Sequence, residues 1–304
     1  LNNGAGGFQG PPLFDFSFGS MVRGVVIANM NQDTIPDIVF SSREDDAVNV
    51  LLGNGDGTFQ PQLSLFLTGG PVGAVVRDFN QDGFLDVAAP LVFDSQVVIA
   101  LGDGTGSLVE SDRFPADGPE WLAAGDVNND GFYDLVTPFL NGDAVQVLLG
   151  NGEGTFQPRL NIPTGASSLP IEVAFADVDS DGFDDLLVGL FISSAVGVHL
   201  SNGDGTFQPA APFPVGQRPR RFALADFDGN GSLDLAAANG AVAGTVTVPE
   251  GVLSPKIISY VAPVHDFVVF TVASIATASG AFPAVGVTLI KPPTFDPLPT
   301  VLAH

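Results

Sequence analysis

The chain contains no cysteine. It therefore has no disulfide to staple its fold, no thiolate metal site and no cysteine nucleophile. Base is scarce as well: 10 Lys and Arg stand against 34 Asp and Glu, a net charge of −24. Affinity for nucleic acid rests on cations at phosphates, so that class of partner is excluded. The only histidines are His199, His265 and His304. With so few, no nucleophile–base constellation can be read off, and the chain reads as a binding or structural protein, not an enzyme. The one long uncharged run is Phe267 to Ile290, which is long enough to cross a bilayer. Gly280, Pro283 and many Ser, Thr and β-branched residues interrupt it, so paired strands are expected there instead of a membrane helix.

What the chain does hold is 37 Gly, 24 Pro, 25 Phe and a 45% hydrophobic share. That is too apolar for disorder and suits many short strands joined by tight turns. A nine-residue pattern with oxygen side chains at positions 1, 3, 5 and 9 then organises the sequence. It begins at residues 29, 78, 126, 177 and 226, spaced 49, 48, 51 and 49 residues apart. The oxygen sets are Asp78, Asn80, Asp82 and Asp86; Asp126, Asn128, Asp130 and Asp134; Asp177, Asp179, Asp181 and Asp185; and Asp226, Asp228, Asn230 and Asp234. Asn29, Asn31, Asp33 and Asp37 form a weaker first copy, with Asn at position 1, Thr34 where the others have Gly, and Pro36 at position 8.

A hard cation such as Ca²⁺ takes six to eight oxygens, and a loop turning sharply at Gly can aim four such groups at one ion. Position 7 adds a backbone carbonyl, from Phe84, Phe132, Phe183, Ser232 or Ile35. An EF-hand would need Glu at position 12, where Phe40, Ala89, Thr137, Val188 and Ala237 stand, so that motif is excluded. Four Ca²⁺ sites are expected, and the first loop is expected to bind weakly or not at all. Binding only in the folded state stabilises by roughly 1–3 kcal/mol per site at about 10–100 times Kd, so the calcium reads as structural.

A second motif alternates with the first: Leu52-Gly53-Asn54-Gly55-Asp56-Gly57-Thr58-Phe59-Gln60, matched at 1–9, 149–157 and 200–208 and more loosely at 101–108. Asn-Gly and Asp-Gly make tight hairpin turns, and no Lys follows as a phosphate loop would require. Each period holds four short apolar runs bounded by Gly, Pro, Asn and Asp. Four strands per 49-residue period is the signature of a propeller blade. The fold expected is therefore all-β, a β-propeller of four-stranded blades in a single domain. The repeat blades fall at 21–66, 72–115, 121–163, 171–214 and 220–262. Residues 1–16 supply part of a blade and 263–304 a degenerate tail. Joined, these ends would complete one composite blade and close the ring at six, or seven if the tail builds its own.

In such a blade the oxygen-rich loop and the Gly-rich turn lie on one face. The variable connections Ser42–Ala47, Pro90–Gln96, Pro138–Ala144, Gly189–Ala195 and Ala238–Gly244 lie on the other, where recognition is expected. Glu44, Asp45 and Asp46 read as a solvated acidic loop. Arg218, Arg220 and Arg221 read as a surface cluster or an ion pair with a neighbouring blade. Trp121 is expected at the start of a strand, packed in the core.

Asp-Phe-Asn-x-Asp-Gly-x-x-Asp, a strand, and then Leu-Gly-Asn-Gly-Asp-Gly-Thr-Phe resemble the FG-GAP repeats of integrin α-subunits and their bacterial relatives, the VCBS repeats. The resemblance covers about residues 1–250. It implies a propeller with Ca²⁺ in loops at the rim of one face, commonly extracellular and used for adhesion or for binding glycans and proteins. The Phe-Gly and Gly-Ala-Pro elements of the integrin repeat are not evident here. The first residue is Leu1, read as a processed chain. Two functions follow as expectations: an extracellular recognition module for glycan or protein, or a subunit of a fibre, sheath or surface layer whose partners are other copies of itself.

Overall fold

A computed structural model describes residues 22–227, 229–240 and 246–247. Among them every regular element is a β-strand. Strands β1 (Val22–Ala28), β2 (Asp37–Ser42), β3 (Ala47–Leu51) and β4 (Leu63–Phe66) form one sheet in that order. The next sheets are β5 (Val75–Arg77), β6 (Asp86–Leu91), β7 (Gln96–Gly102) and β8 (Leu108–Pro115), then β9 (Ala123–Gly125), β10 (Asp134–Phe139), β11 (Ala144–Leu148) and β12 (Leu160–Pro163). They are followed by β13 (Pro170–Ala176), β14 (Asp185–Leu190), β15 (Ala195–His199) and β16 (Ala211–Pro214). A fifth sheet holds β17 (Pro219–Ala225), β18 (Asp234–Asn239) and β19 (Val246–Thr247). All pairings are antiparallel between chain neighbours, so each sheet is an up-and-down blade. Four complete blades and a three-stranded fifth give a β-propeller arrangement. The ends at 1–21 and 248–304, and with them the expected closure, lie outside the described residues.

Burial explains why these runs are strands. β3, β6, β11 and β14 are buried at every position, and β6, β11 and β14 lie in blades with a described neighbour on each side. β4 alternates between half-buried and exposed, and β16 is exposed throughout, as outer strands must be. The core is accordingly split between blades. Val39, Val50 and Leu52 of the first blade pack with Val87, Leu91 and Val98 of the second. Ala88, Val97 and Ile99 then meet Leu135 and Leu148 of the third. Val136 and Val145 meet Leu186 and Val188 of the fourth. Each interface buries β-branched and Leu side chains, the main favourable term in such a stack.

Hydrogen bonds fix which turns share a face. Asp46, between β2 and β3, accepts from Gly70 N (2.8 Å), which lies between β4 and β5. Asp143, between β10 and β11, accepts from Ser167 N and Ser168 N (2.6 and 2.8 Å), between β12 and β13. The 2–3 and 4–1 connections therefore lie together, opposite the oxygen-rich loops. Asp45 accepts from Ser42 Oγ, so both Asp45 and Asp46 are engaged by protein groups in a loop that the sequence suggested was merely solvated.

Two first strands are shorter than their apolar runs. β9 starts at Ala123, so Trp121 precedes the strand and is half-buried against the third interblade core. Arg221 lies 3.7 Å above its ring and 3.5 Å from Glu172, the interblade pair that the Arg cluster suggested. Phe222 N also donates to Glu172 (2.6 Å). Burial nevertheless outweighs these contacts and pushes the Glu172 carboxyl up to about 7. A carboxyl raised in the folded state holds its proton more tightly there than in the unfolded chain. Its ionisation therefore lowers stability as pH rises from about 4.5 through about 7. Denaturant midpoints across that range should fall for the wild type and fall less for Glu172→Gln, the difference reaching about 3 kcal/mol at most. Parallel curves for the two proteins would contradict this assignment.

Candidate metal centres

Each oxygen-rich loop joins the first and second strands of a blade, and its own backbone amides curl it. Position 1 receives the amide of position 6: Gly83 N to Asp78 (2.9 Å), Gly131 N to Asp126 (2.9 Å), Gly182 N to Asp177 (3.0 Å) and Gly231 N to Asp226 (2.8 Å). Position 5 receives the amide of position 7: Phe84 N to Asp82, Phe132 N to Asp130, Phe183 N to Asp181 and Ser232 N to Asn230, at 2.7–2.9 Å. Position 3 caps position 5 through Asn80, Asn128 and Asp179, at 3.1–3.2 Å. These short Asx turns bring the side chains of positions 1, 3 and 5 together.

Position 9 does something the spacing alone did not show. Its carboxylate is buried and spans two hairpins. One oxygen accepts the amide of position 2: Met30 N to Asp37, Phe79 N to Asp86, Val127 N to Asp134, Val178 N to Asp185 and Phe227 N to Asp234, at 2.7–2.9 Å. In the first four blades the other oxygen accepts an amide at the start of the Gly-rich turn. The donors are Gly53 N to Asp37, Gly102 N to Asp86, Gly150 N to Asp134 and Ser201 N to Asp185, at 2.7–2.9 Å. This approach is so close that a Cβ at Gly102 or Gly150 would collide with the carbonyl of Leu85 or Tyr133. Desolvation, with the neighbouring loop carboxylates adding to it, pushes Asp86 and Asp134 up to about 6.

The chemistry of the donor set fits a hard cation. The carboxylates of Asp177, Asp179 and Asp185 each offer an oxygen, all within 4.8 Å of one another. Asp78 Oδ1 is buried and accepts no hydrogen bond among the described residues, an orphaned acceptor that a cation would satisfy. In the other loops Asn fills position 3 or 5, and an amide oxygen serves Ca²⁺ equally well. Asp228 lies outside the described residues, so the fourth loop is seen only through Asp226, Asn230, Ser232 and Asp234. In the first loop, Gln32 and Thr34 sit at φ of 60° and 78°. The αL region costs Thr more than it costs the Gly of the other loops. Asn31 Nδ2 donates to Asp33 (2.8 Å).

The loops also touch across blades. Gln32 Nε2 donates to Gly83 O, and Gln81 Nε2 to Gly131 O, both at 2.9 Å. Both glutamines occupy position 4 at φ near 60°, a backbone turn that points the side chain at the next loop. Gly154 N, in the third blade's Gly-rich turn, donates to Phe79 O (3.0 Å). Sequence spacing marked position 4 as a filler. The only available signal was its repetition as Gln in two loops. His199 of β15 is 1% exposed, with Nδ1 donating to Gln208 O (3.1 Å).

Consecutive four-stranded blades, each opened by an acidic loop of this geometry, define a repeat-built β-propeller with candidate cation loops on one face. The chain belongs to the FG-GAP-like repeat family, whose profile matches residues 29–89, 139–188 and 190–237. A comparison with curated proteins finds no match. Among solved structures, an Agrocybe aegerita lectin recognising non-reducing terminal N-acetylglucosamine is similar at 22% identity, covering 81% of this chain and 69% of its own, with a TM-score of 0.56. Virginiamycin B lyase from Staphylococcus aureus is similar at 17% identity, covering 81% and 71%, with a TM-score of 0.51. BBS1N, solved in complex with ARL6DN, is similar at 10% identity, covering 82% and 75%, with a TM-score of 0.52. At these identities the likeness is one of fold.

The double role of position 9 separates two kinds of variant. Asp134→Ala leaves the amides of Val127 and Gly150 without acceptors, so it should destabilise by roughly 2–4 kcal/mol even in excess chelator. Asp130→Ala should cost stability chiefly when calcium is present. Denaturant titrations of both variants with calcium and with chelator check this, and equal losses under chelation would contradict it.

Proposed function

We propose that this chain is an extracellular, calcium-stabilised propeller that recognises a glycan or a protein through the face opposite its metal loops. Ca²⁺ is assigned to the loops starting at Asp78, Asp126, Asp177 and Asp226, with a weaker site at Asn29. There the cation would neutralise converging carboxylates and lock the first and second strands of each blade.

The observation carrying the recognition reading is apolar exposure on the opposite face. Phe93 and Ile192, at the tips of the 2–3 connections, are 65% and 57% exposed. Arg43 of the preceding blade lies 4.8 Å over the Phe93 ring, and its buried Nε has no hydrogen-bond partner among the described residues. Arg218 and Arg220 sit similarly over Phe191 (5.8 and 5.3 Å). Aromatic and Arg groups on rigid hairpins are the side chains that dominate recognition surfaces. The lectin and the ARL6DN-bound BBS1N, both propeller-like in fold, support glycan or protein as the ligand class.

We read the ring as six blades, with residues 1–16 and 263–304 completing one beside β1. Val25 and Ile27 on β1 are 64% and 73% exposed, which supports a further blade at that flank. The same flank favours the second reading: in a fibre or surface layer, another copy would cover it by edge or flank contacts.

Screening the calcium-loaded protein against glycan and protein arrays tests the recognition reading. A ligand should appear whose affinity falls about tenfold or more in Phe93→Ala, with melting unchanged. Binding that survives Phe93→Ala and Ile192→Ala alike would place recognition elsewhere.

A further inference from the structure

In every oxygen-rich loop, position 4 sits between two candidate ligands, the side chains of positions 3 and 5. The backbone makes the same left-handed turn there throughout. φ is 60° at Gln32, 59° at Gln81, 56° at Asn129, 64° at Ser180 and 77° at Gly229. What differs is the reach of the side chain. Gln32 Nε2 donates to Gly83 O and Gln81 Nε2 to Gly131 O, each at 2.9 Å. Both acceptors are position 6 of the next loop, one residue before the carbonyl that position 7 offers a cation. Asn129 is one methylene shorter than Gln. Among the described residues neither it nor Ser180 donates to a neighbouring loop, and Gly229 has no side chain to donate.

A second interblade contact does not follow this pattern. Gly154 N donates to Phe79 O (3.0 Å), and Ser201 Oγ donates to Val127 O (3.3 Å). The Gly-rich turns of the third and fourth blades thus both hold position 2 of the preceding loop. Only the glutamine contact ties the ligand-bearing turn of one loop to that of the next, and it stops at Asn129. Closing a loop on a cation fixes positions 3 and 5, and with them the direction of the amide between them. That amide then holds the following loop at its sharpest turn, so the second cation meets less of the ordering cost. By linkage the effect runs equally in reverse.

We propose that Gln32 and Gln81 couple the calcium loops in series. The loops starting at Asp78 and Asp126 load cooperatively, and those starting at Asp177 and Asp226 load independently. The first loop, the weaker site, braces the second through Gln32. This inference rests on the calcium reading above and adds to it the order among the sites.

Calcium titration of the isotope-labelled full chain by NMR tests this, because the position-6 amides of Gly83, Gly131, Gly182 and Gly231 report their loops separately. Asp82→Ala removes a ligand from the second loop. It should raise the calcium midpoint at Gly131 roughly threefold to tenfold and leave Gly182 and Gly231 in place. Gln81→Asn keeps the amide and suits the same turn, but has only the reach of Asn129. It should shift Gly131 similarly, and in that background Asp82→Ala should move Gly131 no further. Asn129→Gln should make the Gly182 midpoint sensitive to Asp130→Ala, to which it is indifferent in the wild type. The coupling is overturned if Gln81→Asn or Asp82→Ala leaves Gly131 unmoved, or if Asp82→Ala acts as strongly in the Gln81→Asn background. It is also overturned if Asp130→Ala already shifts Gly182 in the wild type, since the loops would then communicate without the glutamines. Glycine amides that ignore calcium altogether would instead defeat the calcium reading itself, and the coupling with it.

Discussion

The buried carboxylate at position 9 of each loop is the contact on which the architecture rests. Asp37, Asp86, Asp134 and Asp185 each accept one amide from their own loop and one from the following Gly-rich turn. A single side chain thereby ties the 1–2 connection of a blade to its 3–4 connection. Burying an anion is costly unless its oxygens are satisfied. Two amides meet part of that cost. A cation shared with positions 1, 3 and 5 would meet the rest, so the acidity of the chain and its fold have one origin.

Around that contact the molecule divides its labour by face. On the loop side, glutamines at position 4 and the amide of Gly154 join consecutive blades through backbone carbonyls. On the other side the hairpins are braced by Asp46 and Asp143 but keep Phe93 and Ile192 in solvent. Acidic loops held by their own amides on one face and exposed tips on the other suit a scaffold that presents a surface. The propeller-like lyase shows that the same fold also serves catalysis in another chain, so the functional reading rests on these side chains and not on the architecture.

Much of this was legible in the sequence because the repeat is nearly periodic. Five oxygen-rich loops and the Gly-rich turns between them mark strand ends directly, and the positions of strands 2 and 3 follow from continuous apolar runs such as Asp86–Leu91. The first strands were harder to bound. Gly73 and Trp121 lie in apolar surroundings, yet continuous strand pairing begins only at Val75 and Ala123, with a lone bridge from Pro71 to Leu91 ahead of the first. The interblade contacts were illegible for a different reason. Gln81 meeting Gly131, or Arg77 meeting Tyr133, joins residues about one repeat apart through side-chain direction, which spacing does not encode. Glu172 gave no signal either, because its burial comes from the neighbouring blade.

The most direct test is the melting temperature of the full chain as a function of free calcium, followed with its solution mass. If cations satisfy the loop carboxylates, the transition should climb steadily with calcium, and excess chelator should lower it by roughly 10 °C or more. A melting curve indifferent to calcium and chelator would contradict the account, leaving the acidic loops as turns held by their own amides.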